Sequence, residues 1–155
     1  MSEQDLILGA AAGAVLLALC AMFWLVDQRR RNEAQAEALR RRISELEAGA
    51  EAARATLPDL ATPLWNAAEA LREGTEALVA MGAEDRAAGA VAYLRAFARV
   101  LGGHFHLRAA LAEPSRTDLA RFHIRRLLPD HAAHLAQMRE GAAGVYALSP
   151  ESLAG

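Results

Sequence analysis

The stretch RFHIRRLLPDHAAH, Arg121 to His134, decides how the C-terminal half of this chain is read. It holds three of the five histidines, His123, His131 and His134, around the interruption Leu128-Pro129-Asp130. Either the histidines converge on a metal or a substrate, or the segment is the joint between two packed helices. Proline has no amide hydrogen and its ring obstructs the preceding turn, so Pro129 ends or kinks one helix and a second begins beyond it. In that second helix His131 falls within the apolar face made by Leu135, Met138, Ala142 and Val145, with His134 at its border.

A metal centre on helices needs ligands three or four residues apart, with carboxylate or thiolate partners for most catalytic ions. His131 and His134 meet that spacing, whereas His104 and His106, in GGHFHLR, point to nearly opposite sides of any helix. No histidine has a glutamate three residues before it or an acid four residues after it, which excludes the di-iron bundle signature. The histidines therefore read as packed side chains, His104 beside Phe97 and Leu101. His123, His131 and His134 are the metal candidates if there is a metal, and no cofactor is implied. No Gly-x-Ser-x-Gly elbow or phosphate-cradling glycine loop occurs, so an enzyme is not expected.

Outward from this joint, helix punctuation lays out a small bundle over residues 57–148, with a tail over 149–155. TLPDLATP breaks the chain at Pro58 and Pro63. Leu64, Ala68, Leu71 and Leu78 then line a helix ending near Gly82. A second helix starts at Glu84, with Val91, Leu94, Phe97, Ala98 and Leu101 on its apolar side, and a bend is predicted at Gly102-Gly103. Ser115 with Asp118 resembles a capping box opening a third helix, and a fourth runs from Pro129 to about Leu148. Between Glu84 and Leu128 there are eight arginines and four acids. Arg95 with Arg99, and Arg121 with Arg125, pair at i, i+4. They are the candidates for contact with an anionic lipid surface or an acidic protein partner.

Toward the N-terminus, residues 1–5 are a short tail before LILGAAAGAVLLALCAMFWLV, Leu6 to Val26, which carries no charge. At about 1.5 Å per residue it spans a hydrocarbon core of roughly 30 Å, which predicts a transmembrane helix. The arginines of DQRRR directly after it put the remainder of the chain in the cytoplasm and the N-terminus outside a bacterial inner membrane. Gly9 and Gly13 form a GxxxG pair that lets two such helices approach closely. Residues 27–56 read as a basic juxtamembrane and coiled-coil stalk. Ala36, Leu39, Ile43, Leu46, Ala50, Ala53 and Leu57 alternate spacings of three and four, the seam of a heptad repeat, with Arg42 and Glu47 placed for an interchain ion pair. A homodimer through span and stalk is the expected assembly.

The chain has 155 residues, 54% of them hydrophobic and only 5% aromatic, so its core is built from alanine and thin aliphatic side chains. Period-two alternation is absent, which makes the fold class all-α. A formal net charge of -2 argues against a nucleic-acid partner, and the single Cys20 excludes an internal disulfide.

Read with its lead-in, AEPSRTDLARFHIRRLLPDHAAHLAQMRE resembles a segment of the bacterial 5-bromo-4-chloroindolyl phosphate hydrolysis (XpaC-like) family over residues 113–141. There an acidic-Pro linker leads into a helix, a Leu-Pro break and a second helix. Pro114, Leu119, Arg121, Phe122, Leu128, Pro129 and Leu135 are the matching positions. The resemblance implies a membrane-attached helical protein. It supplies no matched catalytic residue, so the phosphatase activity in the family's name does not carry over. The sequence thus predicts a single-pass inner-membrane adaptor or scaffold acting with an unidentified protein. The alternatives are an accessory subunit of a larger membrane complex and a histidine-based metal-binding or enzymatic domain.

Overall fold

The computed structural model describes residues 3–147 and 149, with side chains from Leu17 onward, Ala18 excepted. The chain is all-α, and no strand occurs among the described residues. The helices are α1 (Glu3–Ala53), α2 (Pro58–Ala80), α3 (Ala83–Ala112), α4 (Thr117–Phe122), α5 (Asp130–Arg139) and α6 (Ala143–Tyr146). A 3-10 turn, Pro114–Arg116, precedes α4, and a π-helical turn, His123–Leu127, follows it. The chain divides into two compact units, residues 1–38 and 39–155.

In the first unit the backbone is helical from Glu3, and Asp27 pairs with Arg31 one turn on. Leu17, Leu19, Met22, Phe23, Trp24, Leu25 and Val26 are exposed. Among the described residues no helix is long and apolar enough to cross a membrane. This overturns the transmembrane helix expected over Leu6–Val26. The single-pass topology and the inner-membrane location fall with it. Gly9 and Gly13 lie in the part of α1 described by its backbone alone.

In the second unit the core is assembled from the last turns of α1 together with α2, α3, α4, the π-turn and α5. Ile43, Leu46, Ala50 and Ala53 are buried in this core, with Leu39 packed at its edge. The expected stalk is therefore corrected. A three-four apolar stripe on α1 seats on the chain's own bundle rather than on a second copy. The charges agree with the apolar contacts. Glu47 is gripped by Arg72 of α2, with Nε to Oε1 at 2.8 Å, Arg42 pairs with Glu45 on its own helix, and Arg40 makes a two-pronged contact with Glu76 at 2.7 and 2.8 Å. Arg42 and Glu47 each have an ion-pair partner within the chain.

Two proline positions shape α2. Pro58 occupies its first turn, where a missing N–H costs nothing. Pro63 lies inside the helix, where it leaves the Asp59 carbonyl without its usual donor four residues on. Arg125 replaces that donor, its Nη2 lying 2.9 Å from the Asp59 carbonyl oxygen. At the other end of α2, Arg86 donates to the carbonyls of Met81 at 2.7 Å and Val79 at 3.1 Å, which no helical amide reaches. The predicted bend at Gly102-Gly103 is absent. α3 continues through both glycines to Ala112, because their missing side chains make room for neighbours rather than a break.

Candidate functional site

The segment 113–139 is where local chemistry most disturbs helical regularity. The expected Ser115–Asp118 capping box does not form. Ser115 Oγ donates to the Glu113 carboxylate at 2.7 Å, and Thr117 Oγ1 donates to the Pro114 carbonyl at 2.8 Å, closing the 3-10 turn on itself. Six residues of α4 follow, and then the ladder widens. Pro129 has no amide hydrogen for the carbonyl of Arg125 and crowds it, so the turn before it opens. The Leu128 amide donates instead to the carbonyl of His123, five residues back, at 2.9 Å. Such π-turns are a common way of re-aiming a side chain at a functional site.

The re-aimed residue is His123. Its Nε2 lies 3.2 Å from the carbonyl of Arg99 on α3, so that nitrogen carries a proton. Its ring stands 4.7 Å from the ring of His106. The approach depends on Gly102, since a Cβ there would lie 2.7 Å from the His123 Cε1. Burial, and secondarily the adjacent His123, hold His106 below the ordinary imidazole value. His131 Nδ1 donates to the Leu128 carbonyl at 2.7 Å and thereby serves the break itself.

These contacts place Arg95, Ala98 and Arg99 of α3 opposite His123 and His134, around an open cleft of about 400 Å³. Arg99 pairs with Asp130 at 3.2 Å. Arg95 makes no ion pair among the described residues. The arrangement offers two guanidinium forks and the His134 imidazole to an anion, the His123 proton being taken by the Arg99 carbonyl.

Four residues singled out from the sequence thus come together, while the others separate from them. His131 lies outside this cleft, and no group of three or more His, Cys, Asp or Glu side chains is placed to hold a metal among the described residues. Arg121 and Arg125 turn to the N-terminal end of α2. Arg121 Nε lies 3.8 Å from the Asp59 carboxylate and its Nη1 2.8 Å from Asp118, and Arg125 bonds the Asp59 carbonyl. Sequence reasoning missed the His106–His123 pair, since residues 17 positions apart on different elements leave no periodic trace.

Fold and site together define the class: an all-helical bundle presenting a cationic, histidine-lined cleft at a π-turn. Residues 41–149 match the family described as Acetyl-CoA dehydrogenase C-terminal like, and the chain belongs to that family. The match runs from the last turns of α1 to beyond α6, so it takes in the whole bundle. This family, with the lack of a membrane-crossing helix among the described residues, replaces the expected inner-membrane adaptor. No curated protein and no solved structure matches the chain.

Proposed function

We propose that the bundle is a helical binding module of an acetyl-CoA dehydrogenase type of system, and that its α3–α5 cleft holds the phosphate groups of a CoA thioester. The observation that carries this reading is the convergence of Arg95, Arg99, His123 and His134 on one open cleft in a chain of this family. Guanidinium groups recognise phosphate oxygens through paired, charge-assisted hydrogen bonds, which a lysine cannot reproduce in the same plane. Arg95 is available directly. Arg99 exchanges its exposed bond with Asp130 for a phosphate oxygen, a small loss because exposed ion pairs contribute about 0–1 kcal/mol. His134 adds a hydrogen-bond donor at the rim, while His123 is held by the Arg99 carbonyl and shapes the wall.

Calorimetric titration of the full chain with CoA tests this reading. CoA binds saturably, its affinity falls with added salt, and pantetheine, which lacks the phosphates, does not bind. Replacing both guanidiniums, Arg95→Gln with Arg99→Gln, weakens CoA by about tenfold or more, roughly 1.4 kcal/mol. No saturable heat with CoA, or equal binding by the double variant, refutes the reading.

A further inference from the structure

A second cleft, of about 480 Å³, lies between the last turns of α1 and α3 and shares no residue with the first. Its polar lining is Arg42, Glu45, His104 and Arg108, and Leu101, Phe105 and Leu111 form its apolar side. The volume falls within the roughly 300–1,000 Å³ typical of small-molecule sites.

His104 is the residue that packing alone does not explain. It is only 7% exposed, yet its Nδ1 is buried without a hydrogen-bond partner. The ring is seated against Gly49 of α1. A Cβ at that position would come within 2.4 Å of the ring Cε1 and 2.7 Å of Nδ1, so only glycine leaves the notch in which the imidazole lies. Were the ring filling space alone, phenylalanine would do so without an orphaned nitrogen, and an unsatisfied buried polar atom in a native fold calls for a reason.

The state of the ring follows from its surroundings. Burial above all, then the guanidiniums of Arg108 and Arg42, push its pKa down, against a smaller opposing pull from Glu45, so the ring is neutral at neutral pH. An N–H on the sealed Nδ1 would be a buried donor without an acceptor, which costs about 1–3 kcal/mol, so the single proton resides on Nε2. That nitrogen is not sealed, and it makes no hydrogen bond within the described residues.

The charges leave a vacancy for one negative group. Glu45 is already bonded to Arg42 at 2.6 Å, and Arg108, exposed on α3, makes no ion pair among the described residues. Beside it stand a neutral N–H donor and an apolar wall. We propose that this cleft binds a small monocarboxylate with an apolar body, its oxygens held by Arg108 and the His104 Nε2–H and its body laid on Leu101, Phe105 and Leu111. A carboxylate accepts from both donors at once, and the apolar wall distinguishes it from a bare inorganic anion.

Hexanoate is the probe, added at constant ionic strength to the full chain with ¹⁵N-labelled histidine, with hexanol and inorganic phosphate as comparisons. Hexanoate shifts the His104 ring resonances saturably, hexanol does not, and phosphate binds at least about tenfold more weakly. Arg108→Gln, at an exposed position, weakens hexanoate by about tenfold or more, the loss of one charge-assisted contact. His104→Phe loses calorimetric binding while its unfolding midpoint stays level or rises, which separates a ligand-holding imidazole from a merely structural one. An absent or non-saturating response to hexanoate overturns the proposal. So does an undiminished response in Arg108→Gln, or phosphate binding as tightly as hexanoate, which would make the cleft a plain cationic surface.

Discussion

Gly89 of α3 provides a direct test of how the bundle is packed, because what it faces is backbone. A Cβ added there would lie 2.8 Å from the carbonyl oxygen of Met138 and 3.1 Å from its Cγ. The side-chain contact can be relieved by a rotamer change, since methionine is flexible. The carbonyl belongs to the last turns of α5 and cannot yield unless α5 retreats from α3 by about half an ångström, against contact distances near 3.3 Å or more. That retreat loosens a seam in which Ala92, Tyr93, Leu135 and Met138 are all buried.

Overpacking of this kind costs about 1–3 kcal/mol. Alanine recovers about 0.5–1 kcal/mol relative to glycine inside a helix. Because the obstacle is a backbone carbonyl, the cost lies in the upper half of that range, so Gly89→Ala destabilises the protein by about 1–2.5 kcal/mol, equivalent to a fall of about 3–8 °C in Tm for a chain of this size. Gly144 in α6 is the control, since an added Cβ meets nothing within 4 Å there. Gly144→Ala leaves the midpoint unchanged or raises it. Helical circular dichroism at 222 nm, followed through thermal and urea unfolding, reads both variants. A Gly89→Ala protein as stable as the parent, or a Gly144→Ala protein equally weakened, refutes the proposed α3–α5 contact.

Two further predictions concern groups the core encloses. Thr75 Oγ1 donates to the Leu71 carbonyl at 2.7 Å, which obliges the Tyr93 hydroxyl to donate to Thr75 across another 2.7 Å. Thr75→Val strands the Tyr93 hydroxyl in the core and costs about 1–3 kcal/mol, whereas Tyr93→Phe leaves Thr75 bonded to Leu71 and costs about 1 kcal/mol. Urea unfolding ranks the two, and a larger loss for Tyr93→Phe contradicts the assigned direction. The second prediction is a pH dependence. His104 and His106 are both depressed in the folded state, chiefly by burial, so the unfolded chain binds protons more readily as pH falls. Stability is complete above the unfolded imidazole value, near ~6.5, and declines as pH drops below it toward the folded values, before most carboxylates titrate. A urea midpoint that is flat between pH 7.5 and 5.0 contradicts this sign.

How much of this was legible in the sequence depends on whether its cause is local. The helices are local: α3 starts within a residue of its expected position at Glu84, whereas α2 begins at Pro58 and runs through Pro63, where a second break was expected. The glycine pair at Gly102-Gly103 was misjudged because a helical glycine has two uses. It weakens the helix, and it lets a neighbour approach. Here His123 and the Leu64 side chain occupy the space, and the helix continues. Likewise Pro63 announces from sequence that the Asp59 carbonyl lacks a helical donor, but nothing local names Arg125, 66 residues away, as its replacement.

The stripe on α1 shows the same limit at the level of assembly. Apolar residues at alternating spacings of three and four state that one face of a helix is buried, and a heptad seam between two chains obeys the same rule as a helix docked on its own bundle. What separates the two is where the flanking charges go. Arg42 and Glu47 are spaced for an interchain bridge, yet the same Glu47 is within reach of Arg72 once α2 folds back, and Arg42 has Glu45 one turn along. An intramolecular partner is held at far higher effective concentration than a second chain, so it takes the face first. Among the several arginines that make no ion pair or side-chain hydrogen bond among the described residues, Arg95 and Arg108 stand out because each borders a cleft that also contains histidine. In a chain whose 17 Lys/Arg positions are all arginine, position at a histidine-lined cleft is what separates the informative ones from those on open helix faces.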